Sequence, residues 1–255
     1  MIVRELRLAL TALMFLTRIP VPAWVGHSEM QLNRSARYFP LAGLVVGAIA
    51  AIAYAAAAIV LPHPVAVALA MVAAVLATGA FHEDGFADTC DGLGGGHTRE
   101  DALRIMQDSR VGAYGAIGIV LLLLLRFEAL VAIGPERIVA ALAAGNAISR
   151  FFPVLLIRLL PYARAEGGKS KPFANSIATT DLLIALAIGL LPVVLLFPPR
   201  DWLAVLPPLV ACGWLGMKFK TRLGGYTGDG LGATQQVCEL VFYLALLALA
   251  GWTSF

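Results

Sequence analysis

The sequence predicts an all-α, polytopic integral membrane protein with about seven transmembrane helices plus an N-terminal interfacial or re-entrant helix. Of its 255 residues, 60% are hydrophobic and only 14% are charged, a composition far from that of soluble domains. Several apolar runs, such as 40–61, 117–133 and 181–197, approach or reach the ~20 residues that a helix needs to cross a bilayer. These observations exclude an ordinary soluble enzyme.

The predicted spans follow the apolar runs along the chain. They lie near 38–61, 64–81, 112–133, 137–160, 181–198, 202–217 and 234–251. The N-terminal run 8–16 is too short to cross, and no small-residue cleavage site follows it, so we expect a retained interfacial or re-entrant helix and not a signal peptide. Because no linker or shift in composition interrupts the chain, residues 1–255 are predicted to form a single membrane-embedded domain.

The distribution of basic residues predicts the orientation of these spans. When the loops are assigned to alternate sides, most of the 19 lysines and arginines fall on one side, whereas Arg137 and Arg200 fall on the other. The positive-inside rule makes the basic side cytoplasmic. All segments rich in acidic residues and glycine lie on that same side. Topology therefore explains the net charge of +3, and no nucleic-acid partner is expected.

Acidic residues crowd into a polar stretch, 81–114, within an otherwise apolar chain. Asp84, Asp88 and Asp91 follow an i, i+4, i+7 spacing, so on a helix they share one face. Carboxylates this close repel one another unless a cation lies between them, and all-oxygen ligands favour Mg²⁺ or Mn²⁺. We therefore predict a metal site at Asp84, Asp88 and Asp91, with Asp108 as a further ligand or a base, and His82 as a ligand or proton-transfer group.

Glycines and arginines follow the acids. Gly94 and Gly95 permit the backbone to approach a ligand closely, although a glycine run also makes a flexible turn. Arg104 and Arg110 are placed to hold phosphate oxygens. Alternatively, Arg104 and Asp108, four residues apart, form an ordinary ion pair on a helix.

Polar residues in the later segments extend the predicted site. Arg150 interrupts an apolar helix and must face a polar cavity or pair with an acid. Arg164 and Lys169 belong to a basic loop, 162–175, which suits an anionic substrate, although positive-inside charge explains it equally well. Asp229 lies among glycines at the start of the last span and is expected to face the same cavity as Asp84. Together these residues indicate phosphoryl-type chemistry at a membrane interface.

Several motifs, in order, resemble those of the cobalamin-5′-phosphate synthase family, the adenosylcobinamide-GDP ribazoletransferases. They are FHEDGFADTCDGLGGG, DSRVGAYG after Arg104, SR at 149–150, YARAEG at 162–167 and GGYTGDGLGA at 224–233. The resemblance covers about 16–243. Asp84, Asp88, Asp91, Asp108 and Asp229 match the acidic positions of the family, as do His82 and Gly85, whereas Phe86 stands where leucine is common.

That resemblance implies a reaction, a cofactor and a location. The enzyme would join adenosylcobinamide-GDP to α-ribazole or its 5′-phosphate and release GMP, in the last assembly stage of cobalamin (vitamin B12) biosynthesis. It would depend on Mg²⁺ and reside in the bacterial inner membrane. The preferred nucleophile, the number of metal ions, the oligomeric state and any association with other late cobalamin enzymes stay open.

Two other functions compete with this interpretation. A CDP-alcohol phosphotransferase also uses spaced aspartates in a membrane site, but it requires a DG-x-x-AR element, and here Asp88, not arginine, follows Ala87. An ion-coupled transporter would distribute charged residues through the middle of its spans and show repeat symmetry. This chain gathers its charged residues on one side, which favours an enzyme.

Overall fold

The computed structural model describes residues 2–26, 28–164 and 177–251, and these form α-helices joined by short loops and 3₁₀ turns. The helices are α1 (Ile2–Leu16), α2 (Glu29–Ser35), α3 (Phe39–Ala57), α4 (His63–Thr78), α5 (Phe81–Gly95), α6 (Arg99–Ile105), α7 (Ala113–Ile133), α8 (Ile138–Ser149), α9 (Phe151–Leu159), α10 (Thr179–Leu196), α11 (Leu206–Leu223) and α12 (Gly228–Gly251). Within the described residues the structure contains no β-strand, only an isolated bridge between Tyr162 and Tyr226. The predicted all-α fold class is confirmed.

The number of membrane spans also agrees with the sequence. In the described part of the chain, 6 helical stretches are long and apolar enough to cross a membrane, or up to 7 if a bent pair of helices counts as one span. The bent pair is α4 and α5. The predicted span 137–160 is formed by α8 and α9, which meet at Arg150.

The predicted span at 64–81 differs from the structure at its end. Helix α4 ends at Thr78, and α5 then leaves at an angle of 88°. The turn is made by Gly79 and Ala80, which both have left-handed backbone angles (φ +67° and +60°). A non-glycine residue in this region is strained by roughly 1–2 kcal/mol. These backbone angles turn the acidic helix away from the preceding span.

Helix α1 is only 15 residues long and is not among the spans found in the described residues. It packs beside α3, where Phe15 stacks on Phe39 with ring centroids 5.9 Å apart. At 1.5 Å per residue, a helix of this length falls short of the ~30 Å hydrocarbon core. The expectation that the N-terminal apolar run is not a full transmembrane helix is therefore met.

Candidate active site

Helix α5 carries the three aspartates singled out in the sequence. It begins at the 88° turn and displays Asp84 exposed, Asp88 half-buried and Asp91 buried. The rise of 1.5 Å per residue places Asp88 about 6 Å along the helix from Asp84 and Asp91 about 4.5 Å farther. The solvent exposure of the three carboxylates therefore decreases along α5, from Asp84 to Asp91.

A close crossing of α5 and α12 adds a fourth carboxylate to this row. Gly85 lies so near α12 that a Cβ atom there would be 3.0 Å from Cα and the carbonyl oxygen of Asp229. The Asp229 carboxylate consequently interacts electrostatically with those of Asp84 and Asp88. We call Asp84, Asp88 and Asp229 the acidic cluster. The expectation that Asp229 faces the same space as Asp84 agrees with this packing.

Arg164 is the cation that the described residues bring to the acidic cluster. Its Nη2 atom donates to Oδ2 of Asp229 at 2.7 Å, and its charge also acts on Asp88. Two residues predicted as substrate contacts from distant parts of the sequence are therefore paired. Lys169, the other predicted cation of this loop, lies outside the described residues.

Asp91 has its own partners in the fold. Its carboxylate accepts hydrogen bonds from the backbone N–H groups of Gly112, at 2.7 Å, and Gly115, at 2.8 Å. These are orphan donors at the start of α7, so Asp91 caps that helix from another helix. Any side chain at Gly115 would collide with the Asp91 carboxylate. Asp91 therefore ties the acidic helix to α7, and its predicted role as a metal ligand stays a prediction.

Asp108 is separated from the acidic cluster and belongs to a surface ion pair. Arg110 donates Nε and Nη2 to its two oxygens at 3.0 and 2.7 Å, and the Arg110 backbone N–H adds a third bond. The hydrogen bonds from Arg110 lower the pKa of Asp108 to about 2, so the group stays ionised at neutral pH. Its predicted role as a ligand or base is untested.

Arg104 pairs differently from the alternative considered above. It contacts Asp101 at 2.9 Å and not Asp108. Helix α6 ends at Ile105, so the four-residue helical spacing between Arg104 and Asp108 does not exist. That alternative is wrong because the helix is too short.

An open pocket of about 510 Å³ lies at the far end of α5 from the turn. Its lining includes five residues of the predicted site, together with Ile105, Tyr114 and the turn before α7: Asp91, Gly95, Arg104, Ile105, Asp108, Arg110, Val111, Gly112, Ala113 and Tyr114. Gly94 lies directly behind the Tyr114 ring. Most of the predicted site residues that the structure describes are thus divided between the acidic cluster and this pocket, which meet along α5.

His82 and Arg150 lie elsewhere. His82 comes two positions before Asp84, a rotation of about 200° around the helix. His82 therefore faces the protein interior, where it lines a small apolar cavity of about 50 Å³ together with Arg150. Arg150 donates to the carbonyl oxygen and Oδ1 of Asn146 at 2.9 and 3.1 Å. The structure brings neither residue to the acidic cluster.

A buried polar network was not predicted from the sequence. Arg126 of α7 lies 3.7 Å from Glu83 and hydrogen-bonds Gln236, which in turn donates to Glu83 at 3.0 Å. The network continues through Gln235 to Glu239, which also accepts from Tyr243 at 3.0 Å. It holds the first turn of α5 against α7 and α12. An arginine within the apolar span 113–133 was the available signal, because intramembrane charges need partners.

Two arginines lock the loops at this end of the bundle. Arg99 donates to the carbonyl oxygens of Leu223 and Ala163, both at 2.7 Å. Arg222 reaches back and donates to the carbonyl oxygen of Gly96 at 2.7 Å. Carbonyls at helix ends lack intrahelical partners, so cations satisfy them well. The segments around 96, 163 and 223 therefore meet at one end, as the loop alternation predicted.

We expect Arg99→Gln to lower the free energy of unfolding by about 1.5 kcal/mol, the lower end for hydrogen bonds from charged groups, because the side chain is 45% exposed. Chemical unfolding in detergent measures this. Arg104→Gln, on the same helix with a side chain that is 75% exposed, is the matched control and should unfold like the wild type. Equal stability of both variants would contradict the locking role of Arg99.

Comparison with known proteins identifies the family. The family model described as cobalamin-5-phosphate synthase matches residues 8–247. The chain belongs to this family. Among its relatives, a protein of Shewanella frigidimarina is 45% identical over 250 residues, 96% of each chain, and one of Leptothrix cholodnii is 47% identical over 262 residues, 97% of each chain. Both are named adenosylcobinamide-GDP ribazoletransferase.

A protein of Ralstonia nicotianae with the same name is 49% identical over 247 residues, which cover 95% of this chain and 94% of that protein. No solved structure matches the chain. The family membership confirms the resemblance drawn from the motifs. It favours the cobalamin-5-phosphate synthase interpretation over both the CDP-alcohol phosphotransferase and the transporter.

Proposed function

We propose that this membrane protein transfers the adenosylcobinamide phosphate group of adenosylcobinamide-GDP to α-ribazole or α-ribazole 5′-phosphate and releases GMP. The observation that carries the proposal is the meeting of three motif-bearing segments at one end of the bundle, around the acidic cluster of α5. A family whose relatives bear the name of this reaction supports it.

The reaction replaces one phosphorus–oxygen bond by another. A ribose hydroxyl of the ribazole attacks the phosphorus attached to cobinamide, the bond to the GMP phosphate breaks, and the hydroxyl proton passes to a carboxylate oxygen of the acidic cluster. Arg164, already held at Asp229, supplies a guanidinium that can bind a phosphoryl oxygen. Fixed charges of this kind stabilise a transition state because they need no reorganisation during the reaction.

We further propose that Asp84 and Asp88 hold a Mg²⁺ ion. In the described residues no three acidic, histidine or cysteine side chains are arranged to hold a metal ion by themselves. Mg²⁺ in phosphoryl-transfer sites is usually held by one or two carboxylates, with waters and substrate phosphates as the other ligands. Two neighbouring carboxylates on one helical face fit that pattern. When bound, the ion would neutralise charge on the diphosphate.

The proposal also names the membrane that holds the protein and the side of that membrane that the active site faces. Basic residues gather at the end that carries the acidic cluster, and the positive-inside rule supports a site that faces the cytoplasm. The membrane of this proposal is the bacterial inner membrane. Arg137 pairs with the buried Asp201 at the opposite end. Partners beyond the two substrates and the lipid are not part of the proposal.

A product assay tests the reaction. Membranes that contain the protein are given adenosylcobinamide-GDP, α-ribazole 5′-phosphate and Mg²⁺, and both GMP and a cobalamin product are measured. We expect both products in equal amounts, and neither in the presence of EDTA. Release of CMP from CDP-diacylglycerol and an alcohol, without a cobalamin product, would overturn the proposal in favour of phospholipid synthesis.

A further inference from the structure

The pocket beyond Asp91 has features that suit one part of the proposed substrate. Its volume of about 510 Å³ lies within the range of roughly 300–1,000 Å³ of small-ligand sites. It opens to solvent, because the side chains of Arg104 and Arg110 at its rim are 75% and 87% exposed. A nucleotide fits this space, whereas a corrinoid ring with its axial adenosyl group is far too large for it.

The ring of Tyr114 is held as a flat wall of this pocket. Its Cγ, Cδ1 and Cδ2 atoms lie 2.6, 2.7 and 3.0 Å from the position that a Cβ atom at residue 94 would take. One face of the ring therefore covers Gly94, which only glycine permits. Tyr114 is nevertheless 58% exposed, so the rest of the ring faces the pocket. An exposed aromatic face held in this way suits stacking by a nucleobase.

The two arginines at the rim supply donors for phosphate oxygens. Asp108 binds Nε and Nη2 of Arg110 and so fixes the plane of its guanidinium, which leaves Nη1 directed elsewhere. Arg104 uses Nη2 for Asp101, and within the described part of the chain its guanidinium makes no other hydrogen bond. Arginine holds phosphate oxygens in this planar manner. The pocket thus combines a stacking face with phosphate donors.

The position of the pocket relative to the acidic cluster fits a diphosphate. Asp91 forms part of its wall and lies only about 4.5 Å along α5 from Asp88. We infer that this pocket binds the nucleotide leaving group of the substrate, with the base stacked on Tyr114 and the phosphates running past Asp91 toward Asp88. This inference rests on the proposed function and deepens it by naming Tyr114 as a binding residue.

Binding of GMP alone to the full-length protein in detergent tests the inference without turnover. Because Tyr114→Ala removes the ring on which the base stacks, it should raise the Kd for GMP about 5- to 150-fold. Tyr114→Phe, which keeps the ring, should stay within about threefold of the wild type. Ribose 5-phosphate, which lacks a base, should bind the wild type and Tyr114→Ala equally. Arg110→Gln, in contrast, should weaken the binding of both GMP and ribose 5-phosphate.

Controls separate this inference from general damage and from the proposed reaction. Trp214→Ala removes another exposed aromatic residue, in α11, and should leave GMP binding unchanged. Tyr114→Leu, which still covers Gly94, replaces the alanine variant if that protein fails to fold. Wild-type GMP affinity in the alanine or leucine variant, or no GMP binding by the wild type, overturns the inference. If GMP binding depends on Tyr114 but no cobalamin product forms, the proposed reaction alone is wrong.

Discussion

Asp84→Asn is expected to lower kcat by about 10²- to 10³-fold, the loss typical of removing one group that stabilises transition-state charge. Asp84 is the exposed member of the acidic cluster, and among the described residues no backbone N–H donates to it as Gly112 and Gly115 do to Asp91. Asparagine has nearly the same shape but no charge, so the fold should persist while the site loses a proposed Mg²⁺ ligand. The product assay at saturating substrates, with the protein quantified in the membrane, measures the effect.

A second aspartate variant and a control variant extend this test. Asp88→Asn should behave like Asp84→Asn, and in both variants more Mg²⁺ should be needed for half-maximal activity. Glu136→Gln removes an exposed carboxylate from the turn between α7 and α8, far from the cluster, and should keep wild-type kcat. Near-normal turnover in both aspartate variants would remove the metal assignment from α5.

Arg126→Leu is expected to lower the free energy of unfolding by about 3–5 kcal/mol, because it leaves the Glu83 carboxylate buried without its cation. Arg126 is 4% exposed and Glu83 is 9% exposed, so water cannot replace the lost partner. Both side chains lie in the network that holds the start of α5 against α7 and α12. Denaturant titration in detergent measures the loss.

The double variant Glu83→Leu/Arg126→Leu should recover a large part of that stability, since replacing a buried ion pair by apolar side chains is often neutral. Arg110→Leu, which changes a side chain that is 87% exposed, should leave the unfolding midpoint unchanged. If Arg126→Leu were as stable as Arg110→Leu, the buried pair would not support the fold. Equal losses in the single and double variants would show that the interaction of Arg126 with Gln236, not Glu83, dominates.

The sequence alone was informative where the signal is local. Hydrophobic runs mark helices that cross a membrane whatever their neighbours are, so the all-α class and the number of spans followed from hydropathy. The spacing of Asp84, Asp88 and Asp91 predicts a shared face as soon as the stretch is helical, and α5 meets that condition. The motifs were also sufficient to place the chain in its family.

The partners of individual side chains did not follow from the sequence. Asp91 reads as one more acid in the row, yet the packing of α7 makes it a helix cap. The 88° turn at Gly79 and Ala80 has no hydropathy signal. Likewise, Arg104 was a plausible partner for Asp108 only on a helix that continues past Ile105, and α6 ends there.

What the sequence determined by itself is therefore the membrane class, the helices and the chemical character of one end of the bundle. The tertiary structure decided which charges meet, namely Arg164 with Asp229 and Arg126 with Glu83. It also decided that Tyr114 lines the pocket beyond Asp91. The physical reason is the range of each effect. The free energy of transferring an apolar helix into lipid is a sum over residues that are consecutive in the sequence. An ion pair, in contrast, forms only where two particular helices lie side by side.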